Sequence, residues 1–220
     1  MNTVAVGIVM LSAVTAAHLP AVADRLTRPG EPAAARRGLH RWLCAAVGGL
    51  GAAALCRHLP AASVPAVLSM TAWLVFLQAG ILLTLTDLAV RRLPTPVITA
   101  TAAIITALQV AAAVTAGRPW TLLAGLAGAA LFGGGYLTVA LLTPAGIGMG
   151  DVRLTALIGG LTAATGWDTA LAAAALPYLL DLPFAIRHWR HIRRDGDRDH
   201  HLPFGPFLAA GAVIAALLPA

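Results

Sequence analysis

The stretch Gly146-Ile147-Gly148-Met149-Gly150-Asp151-Val152-Arg153 decides how the chain is read. Three glycines in five residues interrupt a sequence that is otherwise apolar and helix-forming; a carboxylate follows at once, and then an apolar run resumes. Inside lipid, backbone outside a helix is tolerated only where protein or a water-filled cavity satisfies it. An ionisable residue at such a break is a functional candidate by default. A second acid, Asp87, ends another long apolar run, so the working expectation is a pair of acids acting together.

Composition sets the class. Of 220 residues, 59% are hydrophobic and 11% are charged, against about 25% charged residues in a soluble domain. That leaves too little polar surface to coat a globule in water, and the expected fold is all-α, a polytopic bundle of membrane helices. Crossing the hydrocarbon core takes about 20 apolar residues. Eight runs qualify, at 3–23, 42–59, 65–90, 95–116, 120–143, 151–166, 168–187 and 203–219, the second, sixth and eighth being short. Proline or glycine marks the breaks, at Pro29-Gly30, Pro60, Pro94, Gly117, Pro119, Pro144 and Gly146, as expected of residues that lack a donor or tolerate left-handed turns. Residues 1–64 read as an N-terminal two-helix region with an arginine-rich loop, and 65–220 as a six-helix core.

All 15 basic residues are arginine. They form no stripe interleaved with aromatics, which argues against a nucleic-acid partner; they serve as topology markers. With eight alternating spans, thirteen of them fall in the loops at 24–41, 91–94, 144–153 and 188–202 or at the adjoining helix ends, and only Arg57 and Arg118 fall in the other set. Basic residues accumulate on the cytoplasmic side. Both termini are therefore expected outside, with Asp87 and Asp151 at one depth on the inner face. Ala21-Val22-Ala23 has the look of a signal cleavage site, but no basic residue precedes that run and the arginine-rich loop would have to be exported. Cys44 and Cys56 read as small buried hydrophobes.

Two carboxyl groups held close together cannot both ionise easily, so one keeps its proton. The ionised member can take a proton from water while the other donates to a peptide carbonyl. Asp151 starts a helix and Asp87 ends one; the helix dipole, worth about 0.3–1 kcal/mol at an exposed end, favours Asp151 as the base and Asp87 as the proton carrier. Asp181 is the rival acid, read as structural because it lies inside a span shortly before Arg187. Asp24 and Asp168 read as solvated or capping acids. His188, His191, Asp199, His200 and His201 could suit a metal, but a hydrated basic loop is the simpler reading, and no metal or other cofactor is expected. The glycines of the fifth span, Gly125, Gly128 and Gly133-Gly134-Gly135, point to close helix packing. A non-enzymatic transporter is the alternative, but it would place its polar groups near mid-membrane, whereas these acids gather at one face.

Three motifs together resemble the type IV prepilin leader peptidases, membrane aspartyl proteases of the G-x-G-D type. Gly148-Met149-Gly150-Asp151-Val152-Arg153-Leu154 is similar to their second catalytic motif and Asp87-Leu88-Ala89-Val90-Arg91-Arg92-Leu93-Pro94 to their first. Leu202-Pro203-Phe204-Gly205-Pro206-Phe207-Leu208 resembles the segment that opens their last helix. The resemblance covers roughly residues 70–220. It implies Asp87 and Asp151 as catalytic residues, with Gly148, Gly150, Arg153 and Pro94 shaping the site. It also implies a prepilin or pseudopilin partner with a basic leader, cleaved at the cytoplasmic face of a bacterial inner membrane, typically after a glycine. Arg153 stands where the family usually has lysine, and Thr95 where asparagine is common. The cysteine-containing segment of the larger, methylating members is missing, so peptidase activity alone is expected. The Pro-Ala-Leu motif of the signal-peptide and secretase relatives is also absent. Beside the resemblance stand a pilus-assembly component and an inactive peptidase homologue as alternatives, the latter because of Arg153 and Thr95.

Overall fold

The computed structural model of the chain describes residues 3–27, 37–59, 62–143, 148–195 and 204–219, with side chains except at 37–39 and 188–195. Among the described residues all regular structure is helical, in eight helices: α1 (Thr3–Thr27), α2 (Arg37–His58), α3 (Val64–Val90), α4 (Thr95–Ala116), α5 (Trp120–Leu142), α6 (Met149–Thr165), α7 (Trp167–Asp195) and α8 (Gly205–Leu217). Five of them, α1, α3, α4, α5 and the Trp167–Arg187 part of α7, are long and apolar enough to cross a membrane. This marks the chain as a membrane-embedded protein. Residues 28–36 of the arginine-rich loop, residues 144–147, and Leu202 and Pro203 of the third motif lie outside the described residues, as do the side chains of the candidate metal cluster.

The helix ends follow the punctuation. Pro65, Pro96 and Pro206 sit in first turns, where a backbone donor has no intrahelical partner to lose. Gly117 ends α4 at a left-handed φ of 64°, which costs glycine nothing sterically. The apolar part of α7 ends at Arg187, where the sequence ends the seventh span, but one reading is corrected: the sequence makes 188–202 a loop, and the helix continues to Asp195. The charges there change the helix surface, not the backbone, because arginine is a good helix former. Two internal prolines, Pro177 and Pro183, are accommodated within α7.

The helices carrying the acids are the central ones. The apolar window of α3 is 50% buried, against 17% for α1, α5 and α7. Trp73, Phe76 and Leu83 of α3 meet Leu154, Ile158 and Leu161 of α6 and Leu208 and Ala212 of α8 in one core. The short helices α6 and α8 are thus enclosed by longer neighbours. Small residues allow the close approach: Gly80 of α3 lies against Ala209 of α8, where a Cβ would sit 3.3 Å from the alanine's own. The N-terminal pair is fastened to α3 by a polar clamp: Ser12 Oγ donates to the Gly48 carbonyl at 2.9 Å, and Gln78 Nε2 donates to Ser12 Oγ at 2.6 Å.

The closest packing joins α5 to α6. A Cβ at Gly128 would collide with the Gly159 carbonyl oxygen and with Ala163, and one at Gly133 would come within 2.7 Å of Ala156. Gly134 and Gly135 have open space instead. Gly128→Ala is therefore expected to lower the stability of the purified protein in detergent by about 1–3 kcal/mol, as overpacking does. Gly134→Ala should leave it unchanged or raise it by about 0.5–1 kcal/mol through helix propensity. Thermal unfolding of the two variants side by side checks this contrast.

Candidate active site

Asp87 lies in the last turn of α3 and Asp151 in the first turn of α6. The chain passes along α4 and back along α5 between them, which returns α6 to the end of the bundle where α3 finishes. α8 begins at the same end after α7 has run down to it. Asp87 is buried, 6% exposed, and Asp151 is partly buried. The two carboxyl groups lie within electrostatic reach of each other.

A third segment completes the cluster. The backbone N–H of Gly205, at the start of α8, donates to Asp87 Oδ2 at 3.1 Å. A Cβ on Gly205 would stand 2.8 Å from that oxygen, so the contact requires glycine. Leu93 is wedged between the acid-bearing segments. A Cβ on Gly150 would sit 2.8 Å from Leu93 Cβ, and one on Gly205 would sit 3.4 Å from Leu93 Cδ2. One leucine thus spaces the glycine beside Asp151 from the glycine beside Asp87.

α6 begins two residues earlier than the sequence suggests, at Met149 rather than 151. Gly148 caps α6 in an extended conformation (φ −74°, ψ 145°), and Gly150 is already helical. Neither needs a left-handed backbone; Gly150 is required for space beneath Leu93. The turn after Asp87 is the strained one. Arg91 adopts φ 52°, the one positive φ of a non-glycine among the described residues, and its N–H closes on the Asp87 carbonyl at 2.8 Å. The turn lets Leu93 point back into the bundle and Pro94 start α4, where the Pro94 carbonyl accepts from Val97 and Ile98.

Arg153 reaches across to α4, where its guanidinium donates to Thr95 Oγ1 at 2.8 Å. The two positions singled out separately in the sequence are therefore partners, tying the segment after Asp87 to the helix carrying Asp151. A tyrosine pair escaped sequence reasoning. Tyr136 of α5 lies within electrostatic reach of Asp151, and its hydroxyl is 2.8 Å from that of Tyr178 on α7. The Tyr178 ring packs on Phe204 with centroids 5.6 Å apart, and Phe207 packs on Phe184 at 5.4 Å. Asp181, between Tyr178 and Phe184 on α7, has a buried Oδ1 without a hydrogen-bond partner among the described residues. Among the described residues it makes no hydrogen bond or electrostatic contact with Asp87 or Asp151. A cavity of about 250 Å³ opens at this end beside Thr86, between Leu26 and Thr27 of α1 and Val90, Arg92 and Pro94.

No protein-family model matches the chain, and neither a curated protein nor a solved structure is significantly similar to it. Its chemistry is therefore read from this cluster: two carboxyl groups from separate helices at one end of an apolar bundle, one of them held by a backbone donor, suit general acid–base chemistry on a carbonyl compound. Gly205→Ala is expected to push the Asp87 carboxyl off its donor and to lower stability by about 1–3 kcal/mol, the cost of leaving a buried polar group unsatisfied. Gly166→Ala has nothing closer than 3.9 Å to its new Cβ and should show no comparable loss in the same unfolding assay.

Proposed function

We propose that the chain is a membrane-embedded aspartyl endopeptidase that removes the basic leader from type IV prepilin-like substrates. One observation carries the reading: the three segments that resemble prepilin peptidase motifs, far apart in sequence, converge at one end of the bundle. Gly205 of the third is hydrogen-bonded to Asp87 of the first, and Asp87 is within electrostatic reach of Asp151 of the second. In this reading α2, α6 and α8 complete eight crossings. The arginine-rich loops lie in the cytoplasm, and the acids face the cytoplasmic boundary of a bacterial inner membrane.

The chemistry follows from the pair. Asp151, at the positive end of α6, takes a proton from a water molecule, and the resulting hydroxide adds to the scissile carbonyl carbon. Asp87 gives its proton to the carbonyl oxygen. Collapse of the tetrahedral intermediate expels the amine, which leaves with a proton returned by the pair. The substrate's basic leader would remain at the arginine-rich face and its apolar helix within the bilayer. The reaction in this form uses only the two carboxyls and water. Arg153 and Thr95 act by position, holding the α3–α4 turn against α6.

Co-expression with a prepilin bearing a basic leader, followed by gel mobility of the pilin, tests the reading. The unaltered protein should remove the leader. Asp87→Asn and Asp151→Asn should each lower processing by about 10²-fold or more, the usual contribution of a proton-transfer group, at normal membrane levels. Asp181→Asn should process normally. Full processing by either Asp87→Asn or Asp151→Asn removes that residue from the mechanism, and loss with Asp181→Asn alone reassigns the pair.

A further inference from the structure

The larger cavity lies at the opposite end of the bundle. It measures about 510 Å³ and sits among the start of α3, the end of α4, the start of α5 and the end of α6. Its floor is Trp73, whose indole Nε1 donates to Thr165 Oγ1 at 3.2 Å. Gln109 lies beside it, with its amide on the Leu161 carbonyl at 3.4 Å and its oxygen 3.9 Å from where a Cβ on Gly125 would stand. At 1.5 Å per helical residue, Gln109 is roughly 10 Å inside the end of α4, and Trp73 is about 21 Å along α3 from Asp87. The cavity is therefore separate from the paired acids.

Its chemistry is specific. Among the described residues, Arg118 at the rim is the one charged residue that lines it, and no acid does. Ser63 and Ser69 add hydroxyls, and that of Ser63 makes no capping bond to its own helix. Most of the remaining wall is apolar, including Ala112, Ala113 and Ala116 of α4 and Leu161 and Ala164 of α6. Although α4 and α5 are joined by a short turn, they touch only lightly. The cavity volume is in the range of small-molecule sites, which are mostly apolar with a few placed polar groups.

We propose that this cavity binds the phosphate headgroup of an anionic membrane lipid, its acyl chains leaving between α4 and α5. The unbalanced positive charge of Arg118 selects an anion. The serine hydroxyls at the rim donate to phosphate oxygens, and the apolar walls take the glycerol and the first part of the chains. A free phosphate would satisfy Arg118 but leave the alanine-lined wall uncovered. This site is independent of any activity at the paired acids.

Native mass spectrometry of the full chain released from dodecyl maltoside tests it, with phosphatidylglycerol, phosphatidylcholine of the same acyl chains, and inorganic phosphate as probes. Phosphatidylglycerol should bind at least about tenfold more tightly than phosphatidylcholine, a difference of about 1.4 kcal/mol. Arg118→Gln should abolish that preference, and Ser69→Phe, which fills the cavity from a position exposed to it, should weaken phosphatidylglycerol binding by a similar factor. Arg57→Gln, at the same end but outside the cavity, should change neither. Retention of the preference in Arg118→Gln, or inorganic phosphate bound as tightly as phosphatidylglycerol, overturns the proposal.

Discussion

A carboxyl group buried at the end of an apolar bundle must have its hydrogen bonds supplied by the protein, because burial of an unpaired polar group costs several kcal/mol. For Asp87 that donor is the backbone N–H of Gly205. Much of the site geometry serves this contact. Residue 205 has to be glycine for the chain to approach, and α8 has to begin at that point. The α3–α4 turn has to fold Leu93 back between Gly205 and Gly150. The strained backbone at Arg91 fits the same requirement, since a left-handed residue there redirects the chain immediately after the acid.

Packing elsewhere serves to bring short helices into the centre. α6 and α8 are the least able to stand alone in lipid, with 17 and 13 residues, and both are enclosed by longer, more exposed helices. Without a hydrophobic driving force between helices in lipid, close van der Waals contact through small residues is what holds such helices together. Gly128 against Gly159 and Gly211 against Pro177 are contacts of that kind. The acids are thus carried by the most constrained helices in the bundle, as suits side chains that must keep a fixed relation to one another.

Much of this was legible in the sequence, for identifiable reasons. Proline and glycine placed most helix boundaries within a few residues, because their effects on the backbone are local. Asp87 and Asp151 stood out because acids are conspicuous in apolar runs. The charged continuation of α7 past Arg187 reads as a loop by composition, yet it is helical to Asp195 because arginine does not break helices. Leu93 and the Tyr136–Tyr178 pair were invisible because their importance lies in contacts between distant segments. Arg153 and Thr95 were each noticed, but their hydrogen bond depends on how α4 lies beside α6, which no local pattern encodes.

The central claim is that positions 87 and 151 meet at one end of the bundle. Paired cysteines test it directly: Asp87→Cys with Asp151→Cys in a Cys44→Ser, Cys56→Ser background, treated in membranes with a short bifunctional thiol reagent and mapped by mass spectrometry after proteolysis. A link within one chain between 87 and 151 is the expected result, with none between 151 and a cysteine at Ser69, five helical turns away along α3. Failure of the 87–151 link in folded protein, or an equally efficient 69–151 link, would contradict the account.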